Sequence, residues 1–248
     1  MNHSAKLQSK ISLTIPILSL DRKQINEALV QKFGQRYTIA GKVFLDNQTQ
    51  KYCLIEILEN SDHFINYCQS LESDIPIEDF QDCVAIVVLT SYKLGYVSCC
   101  QLAQYAEIFL NLGGVMVIAD TTAKVIDKAE WLTKCNSEDV FDIYLLYVIL
   151  VEEESYYYSC GMNNFGKPDV SLDLSEDIGL ANYVINVFNY YRLTESVIIQ
   201  ENQTFQPDLE CPKYQIIWRE EQQKVLSGRW HLARIDKDQI LDISYEIN

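Results

Sequence analysis

The sequence predicts an α+β protein with mixed or antiparallel sheets and packed helices. Three observations carry this. Short runs of branched and aromatic residues alternate with segments of helical periodicity. Hydrophobic residues make up 48% of the 248 and charged residues 22%, enough apolar material for a packed core. Turn residues punctuate the chain at short intervals, with no repeat and no low-complexity tract.

In order, residues 11–18 alternate and are rich in branched side chains, which predicts a strand. Asp21 supplies helix-start chemistry, Ile25, Leu29 and Phe33 recur at helical spacing, and Gly34 ends the segment. Two strands, 37–45 and 51–58, flank the polar turn 46–50 and form a hairpin. Ser61 is placed to cap a helix carrying Phe64, Ile65, Cys68 and Leu71, closed by Pro76. The run 83–89 lacks alternation and reads as a strand covered on both faces. This β-α-β-β-α-β series is the ferredoxin-like order.

A third helix over 97–112 gathers Cys99, Leu102, Ala103, Ala106, Phe109 and Leu110 on one face and leaves through Gly113 and Gly114. A strand at 115–119, a short helix around 125–132, a long buried strand at 141–151 and a partner strand at 155–160 follow. Residues 161–168 are a loop and 169–174 a short strand. Ser175, Glu176 and Asp177 open a last helix whose buried face is Ile178, Ala181, Ile185 and Phe188. Strands are expected at 196–199, 214–218 and 230–235. The organisation expected is a flexible tail, 1–10, and one domain, 11–248, with two fused halves meeting near 90–95 as the alternative.

Residues 155–174 contain YYYSCGMNNFGKPDVSLDL. This stretch resembles the Tyr-x-x-Gly-Met-x-x-Phe-Gly-x-x-Glu/Asp segment of the bacterial domain of unknown function 4261 family (DUF4261). Tyr158, Gly161, Met162, Phe165, Gly166 and Asp169 are the matching positions. The order of elements over roughly residues 11–205 is also similar. The chain departs from that family at Asp120–Thr121–Thr122 and in a longer tail beyond Phe205. The resemblance implies a single α+β domain and assigns no catalytic residue.

Thirty-five acidic residues against 20 basic ones give a net charge of −15, which repels phosphate backbones and anionic membranes and attracts a basic protein. No nucleic acid or membrane partner is therefore expected. The polar start of the chain, the interrupted apolar run at 11–20 and eight cysteines without a Cys-x-x-Cys pair point to a cytoplasmic protein with reduced thiols. His3, His63 and His231 have no metal or triad spacing, and the common phosphate, dinucleotide, hydrolase and zinc motifs are missing, so no cofactor and no metal are expected.

Asp120, Thr121 and Thr122 follow a strand end, where α/β proteins place ligand-binding groups, although helix capping is the preferred reading. Cys99 lies near a helix start, where a dipole favours thiolate, yet on an apolar face. In the 161–169 loop the glycines permit unusual backbone angles, and Met162 and Phe165 either present apolar surface to a partner or anchor the hairpin. The function expected is a non-enzymatic protein-interaction module, immunity- or antitoxin-like, covering a basic protein. The alternative is a small-ligand-binding protein or enzyme using carboxylates such as Asp120 and Asp169 in a cleft.

Overall fold

A computed structural model describes residues 9–71, 82–195, 197–220 and 228–235. Most of the expected tail, Pro76 and Ser196 lie outside the described residues. The chain forms two compact units, Met1–Tyr147 and Val148–Asn248, in an α+β arrangement of six described helices and two sheets. The division falls well beyond residues 90–95, because the strand ending at Ser91 is central to the first unit's sheet.

In the first unit, β1 (Ile11–Ile17) is followed by α1 (Arg22–Phe33), whose N-terminus is closed by a reciprocal box. Asp21 accepts from the amides of Lys23 and Gln24, and the Gln24 side chain accepts from the Asp21 amide. The expected strand 37–45 is instead two, β2 (Tyr37–Ala40) and β3 (Val43–Asp46), because Gly41 takes a left-handed φ of 63° and turns the chain. β4 (Tyr52–Glu59), α2 (Asp62–Gln69), β5 (Ala85–Ser91), α3 (Tyr96–Leu110), β6 (Met116–Ala119) and β7 (Lys124–Asp127) complete a sheet of order β2-β3-β4-β5-β1-β6-β7. The extra strand replaces the six-element β-α-β-β-α-β series.

All neighbours in this sheet are antiparallel. Ile11, Leu13, Ile15 and Ile17 of β1 are fully buried on one face, where α3 packs. Ser12 and Thr14 point to the other face, on which α2 contributes Cys68 to a small cluster with Met116 and Ile118. A Cβ at Gly114 would stand 2.9 Å from the Leu110 Cα and the Phe109 carbonyl, so only glycine lets the chain leave α3 so close to its own last turn.

Two expectations fail after β6. Residues 125–132 are not one helix: β7 runs first, and Asp127 then caps α4 (Lys128–Lys134) by accepting from the Glu130 amide at 2.9 Å. Residues 141–151 are not a strand: α5 (Val140–Tyr147) occupies most of the run, and β8 (Ile149–Glu152) follows it. Asp139 accepts from the Phe141 amide at 2.8 Å and starts α5. The helix is apolar nearly all round because it packs against both α3 and α4, the case in which periodicity disappears.

In the second unit, β8, β9 (Tyr156–Cys160), β10 (Val170–Asp173), β11 (Thr204–Phe205), β12 (Lys213–Arg219) and β13 (Arg229–Ile235) form a sheet of order β11-β12-β13-β10-β9-β8. The β10–β13 pair is parallel and the others antiparallel, so this sheet is mixed. The helix α6 (Ile178–Thr194) buries Ala181, Val184, Ile185 and Phe188 against Val170, Leu172 and Leu232. Ile178, expected on that face, is 53% exposed as the first residue after the Asp177 cap. Residues 197–200 form no strand. Among the described residues no helix is long and apolar enough to cross a membrane.

Candidate functional site

The 161–169 loop is anchored to its own unit. Gly161 and Gly166 take φ of 121° and 70° and bracket a single 3-10 turn, Met162–Phe165. Met162 is fully buried and Phe165 is 5% exposed, so neither presents an apolar surface to a partner. Tyr158 is half-buried under the Arg229 guanidinium, 4.3 Å from its ring centroid.

Asp169 ties the loop to the sheet. Its carboxylate accepts from the Met162 amide at 3.0 Å and from the Ser159 hydroxyl at 3.3 Å, while Ser159 Oγ accepts from the Val170 amide. Arg192, turned inward from α6, donates to the Pro168 carbonyl at 2.7 Å and to Asn189 Oδ1 at 3.0 Å. Burial pushes the Asp169 carboxyl up to about 6 despite those two donors and the charges of Arg192 and Arg229.

Asp120, Thr121 and Thr122 cap no helix. They form the turn between β6 and β7, closed by Ala123 at φ 56°, and Thr122 donates to the Ala119 carbonyl. Asp120 folds back over β1, accepting from Ser12 Oγ at 2.6 Å and Thr14 Oγ1 at 2.8 Å. Burial raises its carboxyl, opposed by these hydroxyls and by the charge of Lys10. The structure thus separates the two clusters, one in each unit. Cys99 is fully buried on α3 and its thiol is pushed well up, which removes the thiolate.

Two features escaped the linear sequence. The parallel β10–β13 register brings Ser171 Oγ within 3.1 Å of His231 Nδ1, with Asp173 Oδ1 3.5 Å from Nε2. Ser171 and His231 are 1% and 0% exposed, so the hydroxyl has no path to a substrate, and burial together with Arg219 holds the imidazole down at about 4, in its neutral form. The second is the outward face of α6. At 100° per residue, Tyr183 and Tyr190 lie on one line opposite the buried stripe, with Tyr191 on its flank. They are 44%, 39% and 39% exposed. Helical spacing around residues 183 and 190 was the available signal.

Acidic groups stand at both ends of the helix and at Tyr183. Asp177 caps the start of α6, Glu195 stands at its end, and Asp208 accepts from the Tyr183 hydroxyl at 2.9 Å. Arg192 is the one charged residue within the helix, and it is turned inward and 3% exposed. No protein-family model matches the chain, and no curated protein or solved structure matches it.

Proposed function

We propose that the chain is a non-enzymatic protein-interaction module, of the immunity- or antitoxin-like kind, that docks a basic protein on the outward face of α6 in the bacterial cytoplasm. The observation that carries this is the pairing of exposed Tyr183, Tyr190 and Tyr191 with Asp208 beside Tyr183, acidic caps at both helix ends and no outward basic side chain on α6. Tyrosines give large contact area with few rotamers to fix, and complementary charge steers association. The net charge of −15 adds long-range attraction for a basic partner and repulsion for nucleic acid. The DUF4261 resemblance is compatible with this reading and supplies no competing chemistry.

The test is affinity capture from the native host at low and moderate salt, with the wild type beside Tyr183→Ser/Tyr190→Ser, read by mass spectrometry. The expected result is a stoichiometric basic protein that is released as salt rises and is missing from the variant. Capture that is insensitive to salt, or equal for both proteins, overturns the reading.

A further inference from the structure

A buried aromatic side chain with a polar tip ordinarily finds a partner for that tip. In the first unit Tyr105 donates to the Lys51 carbonyl at 2.8 Å, Tyr147 to that of Cys99 at 2.8 Å and Trp131 to that of Ala103 at 3.1 Å. Tyr37 is 8% exposed, and among the described residues its hydroxyl has no hydrogen-bond partner. It lines a pocket of about 370 Å³, within the size range of small-molecule sites. The strand register places it there. Tyr37 pairs with Asp46 across β2 and β3, and both share the face of Phe44. The Phe44 ring stacks on Tyr37 at 5.5 Å and meets Tyr105 and Phe109 of α3 at 5.0 and 5.1 Å, so this face looks toward α3, which supplies Glu107 and Ile108 to the same pocket.

Two charged groups on the pocket have bonding capacity left. The Arg36 guanidinium lies over the Tyr37 ring, 4.9 Å from its centroid, and its one hydrogen bond among the described residues is to Asp46 at 3.5 Å, the long limit of such a bond. Asp46 is also occupied by the amides of Gln48 and Thr49 at 2.9 and 3.4 Å. A guanidinium carries five donors in a planar fork that fits a carboxylate, so most of the Arg36 fork is open to one. Glu107 accepts from Asn136 through Oε2 at 2.7 Å and forms no ion pair among the described residues, which leaves Oε1 for a donor. Both residues lie close enough to the Tyr37 hydroxyl to act on it: burial pushes its ionisation up, Arg36 pulls it down, and Asp46 and Glu107 push it up. A simple anion here would meet two carboxylates and a simple cation would meet Arg36, whereas a molecule carrying both charges is matched at each end.

We propose that this pocket binds a free α-amino acid as its zwitterion, with the carboxylate on the Arg36 guanidinium, the ammonium on Glu107, the Tyr37 hydroxyl bonded between them and the side chain toward Phe33 and Ile108. All of these groups belong to the first unit, so the site is independent of the α6 face. Binding involves no chemical step, and the ligand leaves unchanged.

Titration calorimetry of the full chain with leucine and glutamine, each beside its amide and its N-acetyl form, tests the assignment. At least one of the two amino acids should bind saturably, and its two blocked forms should bind at least about tenfold more weakly. Glu107→Gln should erase the preference over the N-acetyl form, and Arg36→Gln the preference over the amide. Tyr37→Phe, which keeps the ring, should weaken binding about fivefold while melting like the wild type. Saturable binding of neither amino acid, equal binding of free and blocked forms, or wild-type preferences in Glu107→Gln overturns the proposal, and the last result does so even if Arg36→Gln does not fold. Tyr183→Ser/Tyr190→Ser should bind the amino acid like the wild type, which separates this site from the proposed protein-docking face.

Discussion

Asp169 and Asp120 are two carboxylates with the same outline and opposite circumstances. Each accepts from a strand serine, and burial raises each. Asp169 also accepts a backbone amide, lies near two arginines and sits under a loop pinned by Met162 and Phe165. Asp120 accepts from hydroxyls, which can rotate toward other acceptors, and its neighbour is a groove. The glycine-rich segment that stands out in the sequence is therefore scaffold, and the plain Asp-Thr-Thr turn carries a carboxylate that borders a groove. Donor type and access separate the two, and neither is written in local composition.

The largest effect that would test this contrast is at Phe165. Phe165→Ala should cost about 3–5 kcal/mol in a denaturant melt, as for other buried aromatic truncations; a loss under about 1 kcal/mol would break the claim that the loop is anchored. Asp169→Asn sharpens the contrast through pH. The folded value of about 6 stands above the 3.8 of an ordinary aspartate, so the folded state binds more protons between those values. Its contribution to stability is therefore greatest below about pH 4 and is lost as pH rises through 6. Asp169→Asn should match the wild type near pH 4 and exceed it at pH 8 by up to about 3 kcal/mol, at about 1.4 kcal/mol per unit; a difference independent of pH between 4 and 8 would contradict this.

Asp120→Asn should cost only about 1 kcal/mol in the same melt, because the amide can still accept one hydroxyl and donate to the other. Smallest of all, Tyr183→Ser/Tyr190→Ser should change stability by less than about 1 kcal/mol, as expected for outward positions. A larger loss would mean that these rings pack against the protein and are unavailable to a partner.

Much of the fold is legible where local rules agree. Asp21 with Gln24, Ser61 before α2, and Gly113–Gly114 after α3 each announce a helix end, and the 83–89 run supplies most of the strand Ala85–Ser91, which lies between two neighbours in its sheet. Residues 141–151 mislead because an apolar run with no period is compatible with helix or strand, and packing on α3 and α4 decides. Asp120 was readable as a residue but not as a site: its partners Ser12 and Thr14 are 108 and 106 positions away. Ser171 and His231 meet across 60 positions through a parallel pairing that no turn signal announces. The tyrosine line on α6 needed only its helical wheel, but exposure of the face depends on what the unit leaves uncovered.

Denaturant melts of Phe165→Ala and Asp120→Asn, run side by side on the full chain, test the contrast most directly. The account predicts a loss of about 3–5 kcal/mol for the first and about 1 kcal/mol for the second. Equal losses, or the larger loss at Asp120, would contradict it.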